Sequence, residues 1–243
     1  MELLFHNFEF EHEVRERLNI FDRAITETDA LLVTELDLSN FNTDENEIDT
    51  LIHFKNLKTL ALEMKNIGSS FWRNFPKLED LVWITWNGPI DFSVFSNMKN
   101  LVRLTVSGGD YSSIAFENLD ALIPLKNLGY LELHEFGSVD LAPLAFMKQL
   151  KSLAVRYSHK VCNITVIATM TQLEQLTLEG LSVDNMDFLD TLPDNIELEL
   201  CGIQIPSRES INIEKWKRFT NKNICEIEIE KSWKYLNLSS LND

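Results

Sequence analysis

A short apolar phrase recurs along this chain and constrains its possible folds more than any other feature. The first copy has apolar residues at Phe54, Leu57, Leu60 and Leu62. The same spacing returns at Phe75/Leu78/Leu81/Trp83, Met98/Leu101/Leu104/Val106, Leu125/Leu128/Leu131/Leu133, Met147/Leu150/Leu153/Val155 and Met170/Leu173/Leu176/Leu178. Because one copy cannot bury its apolar residues alone, the repetition predicts a solenoid in which each coil covers its neighbours.

The period of the phrase identifies the kind of solenoid. With the third apolar residue of each copy as a marker, the markers are Leu36, Leu60, Leu81, Leu104, Leu131, Leu153 and Leu176, followed by the weaker Ile196 and Ile227. The steps are 24, 21, 23, 27, 22, 23, 20 and 31 residues. All but the last lie in the range of about 20–29 residues typical of leucine-rich repeats. The sequence therefore predicts a leucine-rich-repeat solenoid.

Within each copy the apolar spacing shortens from three residues to two. Residues two apart in a strand point to the same face, so the last two apolar residues predict a short strand with both side chains in the core. Upstream, Leu144, Met147 and Leu150 are three residues apart, which suits a short α or 3₁₀ segment. Each coil is expected to contribute one parallel strand and one short return segment.

Two regions resemble bacterial leucine-rich repeats of the internalin-like type. Residues 139–144, which end in Pro143 and Leu144, followed by residues 149–153, are similar to the turn, Pro-Leu and strand sequence of that family. The beginning of the chain resembles the family's amino-terminal cap helix and first strand. One helical face is followed by residues 25–29, which lead into residues 34–38. The residues of that helical face are Phe10, Val14, Leu18 and Phe21.

The resemblance implies an α/β fold, namely a right-handed leucine-rich-repeat solenoid with a parallel β-sheet on the concave face. Short α and 3₁₀ segments would lie on the convex face, and a helix would cap the amino-terminal end. The family shares a scaffold and binds unrelated partners, so the resemblance is specific for the fold and not for the function. We expect one domain over residues 1–243, with a cap at 1–30, about eight repeats at 31–205 and a carboxyl-terminal cap at 206–243.

The carboxyl-terminal cap is expected because a parallel stack leaves an open edge. Ile213, Trp216 and Phe219 have helical spacing, and residues 224–230 alternate as a strand does. A dimer contact through Trp233 and Tyr235 is the alternative interpretation of this region, and a monomer is favoured.

One family feature is missing from the sequence. Family coils usually carry Asn three residues after the last strand leucine, where its amide satisfies backbone groups in the turn. Here these positions are Phe41, Lys65, Trp86, Gly109, Phe136, Ser158, Leu181 and Cys201. We expect apolar side chains to plug several of these turns.

Composition limits the partners and the location. The net charge of −16 and the pI of about 4.7 weigh against nucleic acid and anionic membranes, which are bound through basic patches. The three cysteines are widely spaced and odd in number, which fits a reducing compartment. Neither a basic, apolar leader nor a long apolar stretch is visible, so a cytoplasmic location is expected.

The outward strand residues are expected to line the concave face and to bind a protein partner. Aromatic and Arg side chains in its middle are typical of binding hot spots, and the last coils are rich in carboxylates, among them Glu226, Glu228 and Glu230. The candidate partner-binding residues are Val82, Ile84, Trp86, Arg103, Tyr130, Glu132, His134, Arg156, Tyr157, Glu179, Glu197 and Glu199. Alternatively, Val82 and Ile84 are ordinary strand formers, and Trp86 fills a turn.

No catalytic or metal-binding pattern is visible in the sequence. The five histidines are isolated, and His134-Glu135 has no second His at metal-binding spacing. Ser107-Gly108-Gly109 lacks the context of a hydrolase nucleophile elbow, and no phosphate-binding loop is present. We therefore expect no enzyme activity, no cofactor and no metal site.

The sequence favours a non-enzymatic protein-interaction module that uses its concave face. One alternative is an acidic intracellular inhibitor, of the immunity-protein type, that sequesters a basic toxin or nuclease. Another is a structural module that uses its edges.

Overall fold

The structure is a computed structural model that describes residues 1–40, 45–64, 67–86, 88–109, 114–205, 216–219, 221–224, 226–229 and 234–237. Its strands are β1 Glu35–Leu38, β2 Thr59–Glu63, β3 Asp80–Ile84, β4 Ile90–Asp91, β5 Arg103–Ser107, β6 Ala115–Glu117, β7 Tyr130–Asp140, β8 Ser152–Cys162, β9 Gln175–Leu181, β10 Glu197–Cys201, β11 Ile203–Ile205, β12 Asn221–Ile224, β13 Glu226–Ile229 and β14 Lys234–Asn237. The main sheet is parallel and open, with the order β1-β2-β3-β5-β7-β8-β9-β10-β12. It forms the concave face of a right-handed solenoid, as expected.

The repeat markers form one column inside the solenoid. Leu60 lies beside Leu81, Leu81 beside Leu104, and Leu104 beside Leu131 in successive strands. The column begins at Leu36 and continues through β8 and β9, and each of its leucines is buried. Stacking of like aliphatic residues gives the sheet its register, because a slip by one residue would turn these side chains to solvent.

Short helical segments return each coil on the convex side, which confirms the expected return segments. The α-helices are α1 Phe8–Leu18, α2 Glu27–Ala30, α3 Ile48–Leu51 and α4 Ser69–Trp72. The 3₁₀ helices are Glu45–Glu47, Phe92–Phe95, Leu119–Leu122, Ala142–Phe146, Ile164–Thr169 and Asp187–Thr191. Buried residues such as Leu122, Leu144 and Ile167 attach them to the core.

Helix α1 caps the amino-terminal end. The Asn7 side chain accepts hydrogen bonds from the first turn, and Phe10 and Val14 are fully buried. The expected place of Phe21 on the same face is wrong, because the left-handed Asn19 ends the helix first. Phe21 lies beyond the helix and is 57% exposed.

Two expected strand positions at the carboxyl-terminal end are also wrong. Leu198, and not Ile196, lies beside Leu176. The next strand of the main sheet is β12, in which Lys222 lies beside Leu198, whereas Ile227 lies in β13 of another sheet. The last steps are therefore 22 and 24 residues rather than 20 and 31, and every step lies in the leucine-rich-repeat range.

This shift changes the acidic end of the concave face. Glu226 and Glu228 belong to β13, which pairs with β11 and β14 in a three-stranded sheet apart from the main one. They do not continue the concave face, contrary to the expectation. Ile213, Cys225, Glu230 and Trp233 lie outside the described residues, as does the side chain of Tyr235.

Side-chain amides join successive coils on the return side. In five coils an Asn or Gln directly before a buried leucine donates its amide to a backbone carbonyl of the preceding coil, over 2.6 to 3.2 Å. These bonds run from Asn56 to Leu31, Asn100 to Pro76, Asn127 to Lys99, Gln149 to Leu125 and Gln172 to Met147. This amide ladder gives each of these carbonyls an acceptor bond across the coil boundary, and the carbonyls of Leu125 and Met147 accept a backbone N–H as well.

A column of left-handed residues follows the strands of the later coils, next to the positions where the family carries Asn. Glu135, Tyr157, Gly180 and Gly202 lie side by side, with φ between 51° and 61°. β7 and β8 continue as strands after this bend, and they pair with each other both before and after it. A second row of backbone pairing therefore takes the place of the asparagine turns.

The core is one continuous apolar cluster from Phe10 to Ile224. Phe136 and Leu181 are buried where Asn was missing, so apolar residues do plug these two turns. Phe41 and Lys65 lie outside the described residues. Among the helices that the structure describes, none is long and apolar enough to cross a membrane.

Candidate protein-binding face

The outward side chains of the main sheet form the concave surface. Among the described residues of these strands, the outward positions hold eight carboxylates and two arginines. They are Glu35, Asp37, Glu63, Asp80, Glu132, Glu179, Glu197 and Glu199, with Arg103 and Arg156. The face therefore has a strong excess of negative charge.

Arg156 in β8 is the centre of a network that spans four strands. Its Nε lies 3.1 Å from Glu132 Oε1, one terminal nitrogen bonds Glu179 Oε2, and the other lies 3.6 Å from Glu199 Oε2. Partial burial lowers the pKa of Arg156, but the hydrogen bond to Glu179 and the three negative charges outweigh it and raise that pKa. The guanidinium thus stays charged and is held in one orientation.

Two tyrosine hydroxyls complete this network. Tyr130 donates to Glu132 Oε2 over 2.6 Å, and Tyr157 donates to Glu179 Oε1. Burial, with the Glu132 hydrogen bond, raises the pKa of Tyr130 to about 12. The hydrogen bond to Glu179, with burial, raises the pKa of Tyr157 to about 12. Both hydroxyls therefore keep their protons at neutral pH and act as donors.

Arg103 links the network to the amino-terminal strands. Its guanidinium carbon lies 4.2 Å from the centre of the Tyr130 ring, within the range of a cation–π contact. Its Nε lies 3.3 Å from Asp80 Oδ2. Burial raises the pKa of Asp80, against the opposing charge of Arg103. A chain of polar contacts therefore crosses the face from β3 to β10.

His134 lies beside this network but does not form a catalytic relay. Its ring is 5.4 Å from the Tyr157 ring in an edge-on arrangement. Ser107 Oγ and Glu135 Oε2 lie 3.5 and 3.8 Å from the same ring nitrogen, Nδ1. A nucleophile–base–carboxylate relay needs the two partners on opposite ring nitrogens, so this geometry does not activate Ser107.

The remaining amino-terminal candidates stand apart from the network. Val82 and Ile84 are half-buried on β3, and Trp86 follows the strand end with 44% of its surface exposed. Trp86 therefore does not fill the turn. Its indole N–H donates to Glu63 Oε1 over 2.8 Å, and its ring covers Gly109, where a Cβ would lie 2.6 Å from the ring.

A groove of about 680 Å³ opens along the carboxyl-terminal half of the concave face. Exposed Glu197 borders it and accepts a hydrogen bond from Gln175 Nε2 over 2.7 Å. Glu199 accepts from Thr177 and from Asn223. The groove is lined by Tyr130, Ser152, Ala154, Arg156, Gln175, Thr177, Glu197, Leu198, Glu199, Lys222 and Asn223.

Several groove residues were not among the sequence candidates. Strand alternation placed Ser152, Ala154, Gln175 and Thr177 on the concave face, but these small or uncharged side chains are not typical of binding hot spots and were not chosen as candidates. Asn223 was missed because the last strand was placed at residues 224–230. The step of 31 residues, outside the leucine-rich-repeat range, was the available sign of that error.

The described residues include no group of three or more His, Cys, Asp or Glu side chains placed to hold a metal ion. The geometry of the face is instead that of a rigid polar surface. Its charged groups are fixed by hydrogen bonds to one another, and its floor is the regular sheet. Such a surface can recognise a partner by shape and charge without a bound cofactor.

The comparisons with known proteins concern the fold. No protein-family model matches the chain, and no curated protein matches its sequence. Internalin C2 from Listeria monocytogenes is similar in structure, with a TM-score of 0.65 and 19% identity over 92% of this chain and 94% of that one. Internalin InlF from the same species has a TM-score of 0.65 and 18% identity, over 93% of this chain and 73% of its own.

A plant peptide hormone receptor, RGFR1 in complex with RGF2, is also similar, with a TM-score of 0.51 and 20% identity. The match covers 71% of this chain and 32% of the receptor chain. The matches to the two internalins cover 92% and 93% of this chain. The chain therefore has the internalin-like leucine-rich-repeat fold.

Proposed function

We propose that this chain is a non-enzymatic module that binds a protein partner through its concave face. The observation that carries the proposal is the connected network on that face. It unites seven of the twelve candidate residues beside an open groove: Arg103, Tyr130, Glu132, Arg156, Tyr157, Glu179 and Glu199.

The physical argument is preorganisation. Arg, Tyr and Glu side chains lose rotamer freedom when they bind, which costs about 0.5–1.5 kcal/mol for each immobilised side chain. Here mutual hydrogen bonds already hold Arg156, Tyr130 and Tyr157 in place. A partner that docks on them therefore loses less free energy to ordering, and aromatic and Arg side chains are the residue types that dominate binding energies.

The fold supports this class of function in general terms. A leucine-rich-repeat chain of similar structure, the plant receptor, is in complex with the peptide hormone RGF2. We also propose that the whole chain acts as one monomeric domain in the cytoplasm. The odd number and wide spacing of the three cysteines support a reducing compartment.

The test is site-specific photo-crosslinking of the full chain in its host cells. A crosslinking residue at Gln175, exposed on the concave face, is compared with one at Lys148, exposed on the convex side. We expect a discrete protein adduct at Gln175 and none at Lys148, because only the concave position contacts the partner. Adducts at Lys148 alone, or at neither position, contradict the proposal.

A second measurement uses the identified partner. Tyr130→Ala with Arg156→Ala should lower its affinity at least tenfold, as expected for central hot-spot residues. Phe146→Ala, an exposed convex change, is the matched control and should leave the affinity unchanged. Circular dichroism confirms that both variants are folded.

A further inference from the structure

We propose that the groove on the carboxyl-terminal half of the concave face receives a Lys- or Arg-bearing segment of the partner. Glu197 and Glu199 are the groups that receive its positive charge. This inference rests on the proposed function and adds to it the chemistry and the position of the recognised element.

Small side chains on β8 give the groove its depth next to Tyr130. Ser152 and Ala154 are the first two outward residues of β8, and they lie between Tyr130 and Glu132 of β7 and Gln175 and Thr177 of β9. Side chains on both neighbouring strands rise above them and form the walls. A volume of about 680 Å³ lies in the usual range of ligand pockets, about 300–1,000 Å³, and accepts a few side chains.

The positive charges around the groove are already engaged within the chain. Arg156 is shared by Glu132, Glu179 and Glu199. Lys222, at the far wall, donates its Nζ to the backbone carbonyl of Phe219 over 3.1 Å. Both cations line the groove, but each is already bonded to acceptors of this chain, so an acidic partner would gain less from them than from unbonded cations.

The carboxylates, in contrast, are in excess. Glu197 and Glu199 line the groove with Arg156 and Lys222, and Glu132 and Glu179 lie behind the lining, bonded to Arg156. These four carboxylates and two cations together leave two negative charges at this end of the face. Glu197 bonds the neutral Gln175 amide. Glu199 is the most distant of the three Arg156 partners, at 3.6 Å. A cation from a partner offsets this excess, and such complementarity fixes register and raises the association rate.

The two carboxylates have different exposures, which gives them different roles. Glu197 is exposed, so it attracts a basic segment from solvent through a field that salt screens. Glu199 is half-buried beside Thr177 and Asn223, so a cation that reaches it makes a hydrogen bond with less competition from water. Nucleic acid and acidic peptides carry the wrong charge for this groove.

The test is the binding of a short synthetic peptide that alternates Lys and Ala to the full chain, measured by fluorescence anisotropy at low and physiological salt. The comparison peptide has Gln in place of Lys. We expect the Lys peptide to bind the unmodified chain, and Glu197→Gln with Glu199→Gln to weaken it about tenfold. The Gln peptide should not bind measurably.

A charge-matched control separates the groove from the overall field. Asp120→Asn with Asp187→Asn removes the same two charges from exposed convex positions. It should change the affinity less than twofold. An equal loss in both double variants overturns the inference, because it shows attraction to net charge alone. No binding of the Lys peptide also overturns it.

Failure of this inference is distinguishable from failure of the proposed function. If Gln175 still crosslinks a protein but Glu197→Gln with Glu199→Gln leaves that adduct and the peptide affinity unchanged, the concave face binds a partner of another chemistry. If Gln175 crosslinks nothing while the Lys peptide binds, the groove selects basic segments but the concave face has no protein partner in these cells, so the proposed function fails and the inference about the groove stands.

Discussion

The two halves of the concave face differ in how their outward side chains are held. In the amino-terminal half, β2 and β3 present Ala61, Val82 and Ile84, and exposed Trp86 has one hydrogen bond to Glu63. In the carboxyl-terminal half, outward residues from β7 to β10 are tied together through Arg156. Both halves share the inward column of buried leucines that begins at Leu36 and runs to Leu176.

The repeat therefore restricts the residue types in the core but not those on the concave surface. Inward positions are restricted to aliphatic residues by close packing. Outward positions lie on a pleated face where many side chains are tolerated, and each coil contributes its own chemistry. The carboxyl-terminal half is therefore the part of the face with a fixed arrangement of charges.

The largest effect should come from the shared core. Leu104→Ala in the amino-terminal half and Leu176→Ala in the carboxyl-terminal half each empty a fully buried site. Each should lower the free energy of unfolding by about 2–5 kcal/mol, because a cavity remains between packed neighbours. Urea denaturation, followed by circular dichroism, measures the loss.

The same variants show whether the halves unfold together. With Trp216 and Trp233 replaced by Phe, tryptophan fluorescence reports only on the amino-terminal half, from Trp72, Trp83 and Trp86. Leu176→Ala should shift this fluorescence transition as much as the circular dichroism transition. If the fluorescence transition of Leu176→Ala stays at the urea concentration of the unmodified protein, the two halves unfold as independent units.

A smaller difference should separate the two arginines. Arg156→Ala leaves three carboxylates close together without their cation, and we expect a loss of about 1–3 kcal/mol for this partly buried group. Arg103→Ala should cost at most about 1 kcal/mol, because its pair with Asp80 is more exposed. If thermal denaturation shows that the two variants lose equal stability, the two halves do not differ in how firmly their charged side chains are held.

Two glycines give a matched pair of smaller changes. Gly109 and Gly180 both have positive φ, and a Cβ on either would lie 2.6 Å from an aromatic side chain. Gly180→Ala should cost more than the roughly 1–2 kcal/mol of left-handed strain, because Tyr157 is held by Glu179. Gly109→Ala should cost only that strain, since exposed Trp86 can move aside. Guanidinium denaturation of both variants tests the order.

The smallest effect at neutral pH concerns the tyrosines of the carboxyl-terminal half. The pKa values of Tyr130 and Tyr157 are raised to about 12 from an ordinary value near 10. A raised folded pKa contributes stability that is complete below about pH 10 and is lost as the pH rises toward 12. Ultraviolet titration should show at least two of the four tyrosines ionising late.

Phenylalanine variants identify the groups in that titration. Tyr130→Phe and Tyr157→Phe should each remove one late-ionising tyrosine and reduce the alkaline loss of stability. If all four tyrosines of the unmodified protein ionise near pH 10, the hydroxyls are not held by Glu132 and Glu179.

The sequence allowed prediction of features that recur and missed those that depend on contacts between coils. Leu60, Leu81 and Leu104 could be placed because each lies at the same point of a repeated phrase. The last coil was misplaced because Lys222 occupies an inward position at the sheet edge, where no aliphatic residue marks the phrase. The amide ladder was visible only as Asn or Gln before a repeat residue.

For the candidate site, too, the sequence predicted the positions of the residues but not the contacts between coils. Alternation was enough to put Arg156, Glu132 and Glu179 on one face. Their contacts required the register between β7, β8 and β9, which sets His134, Arg156 and Glu179 side by side. Left-handed Tyr157 could not be foreseen, because non-glycine residues seldom adopt that conformation.

The amide ladder has a mechanical consequence. Its rungs connect neighbouring coils one at a time, and the series is interrupted in the coil of β3, where exposed Lys77 stands at the position of Asn56 and Asn100. The seam between β2 and β3 is bridged by a different side chain, because the buried indole N–H of Trp83 donates to the Met64 carbonyl over 2.9 Å. Under a pulling force along the solenoid axis, resistance at this seam should therefore depend on one tryptophan, whereas the next four seams resist through an amide.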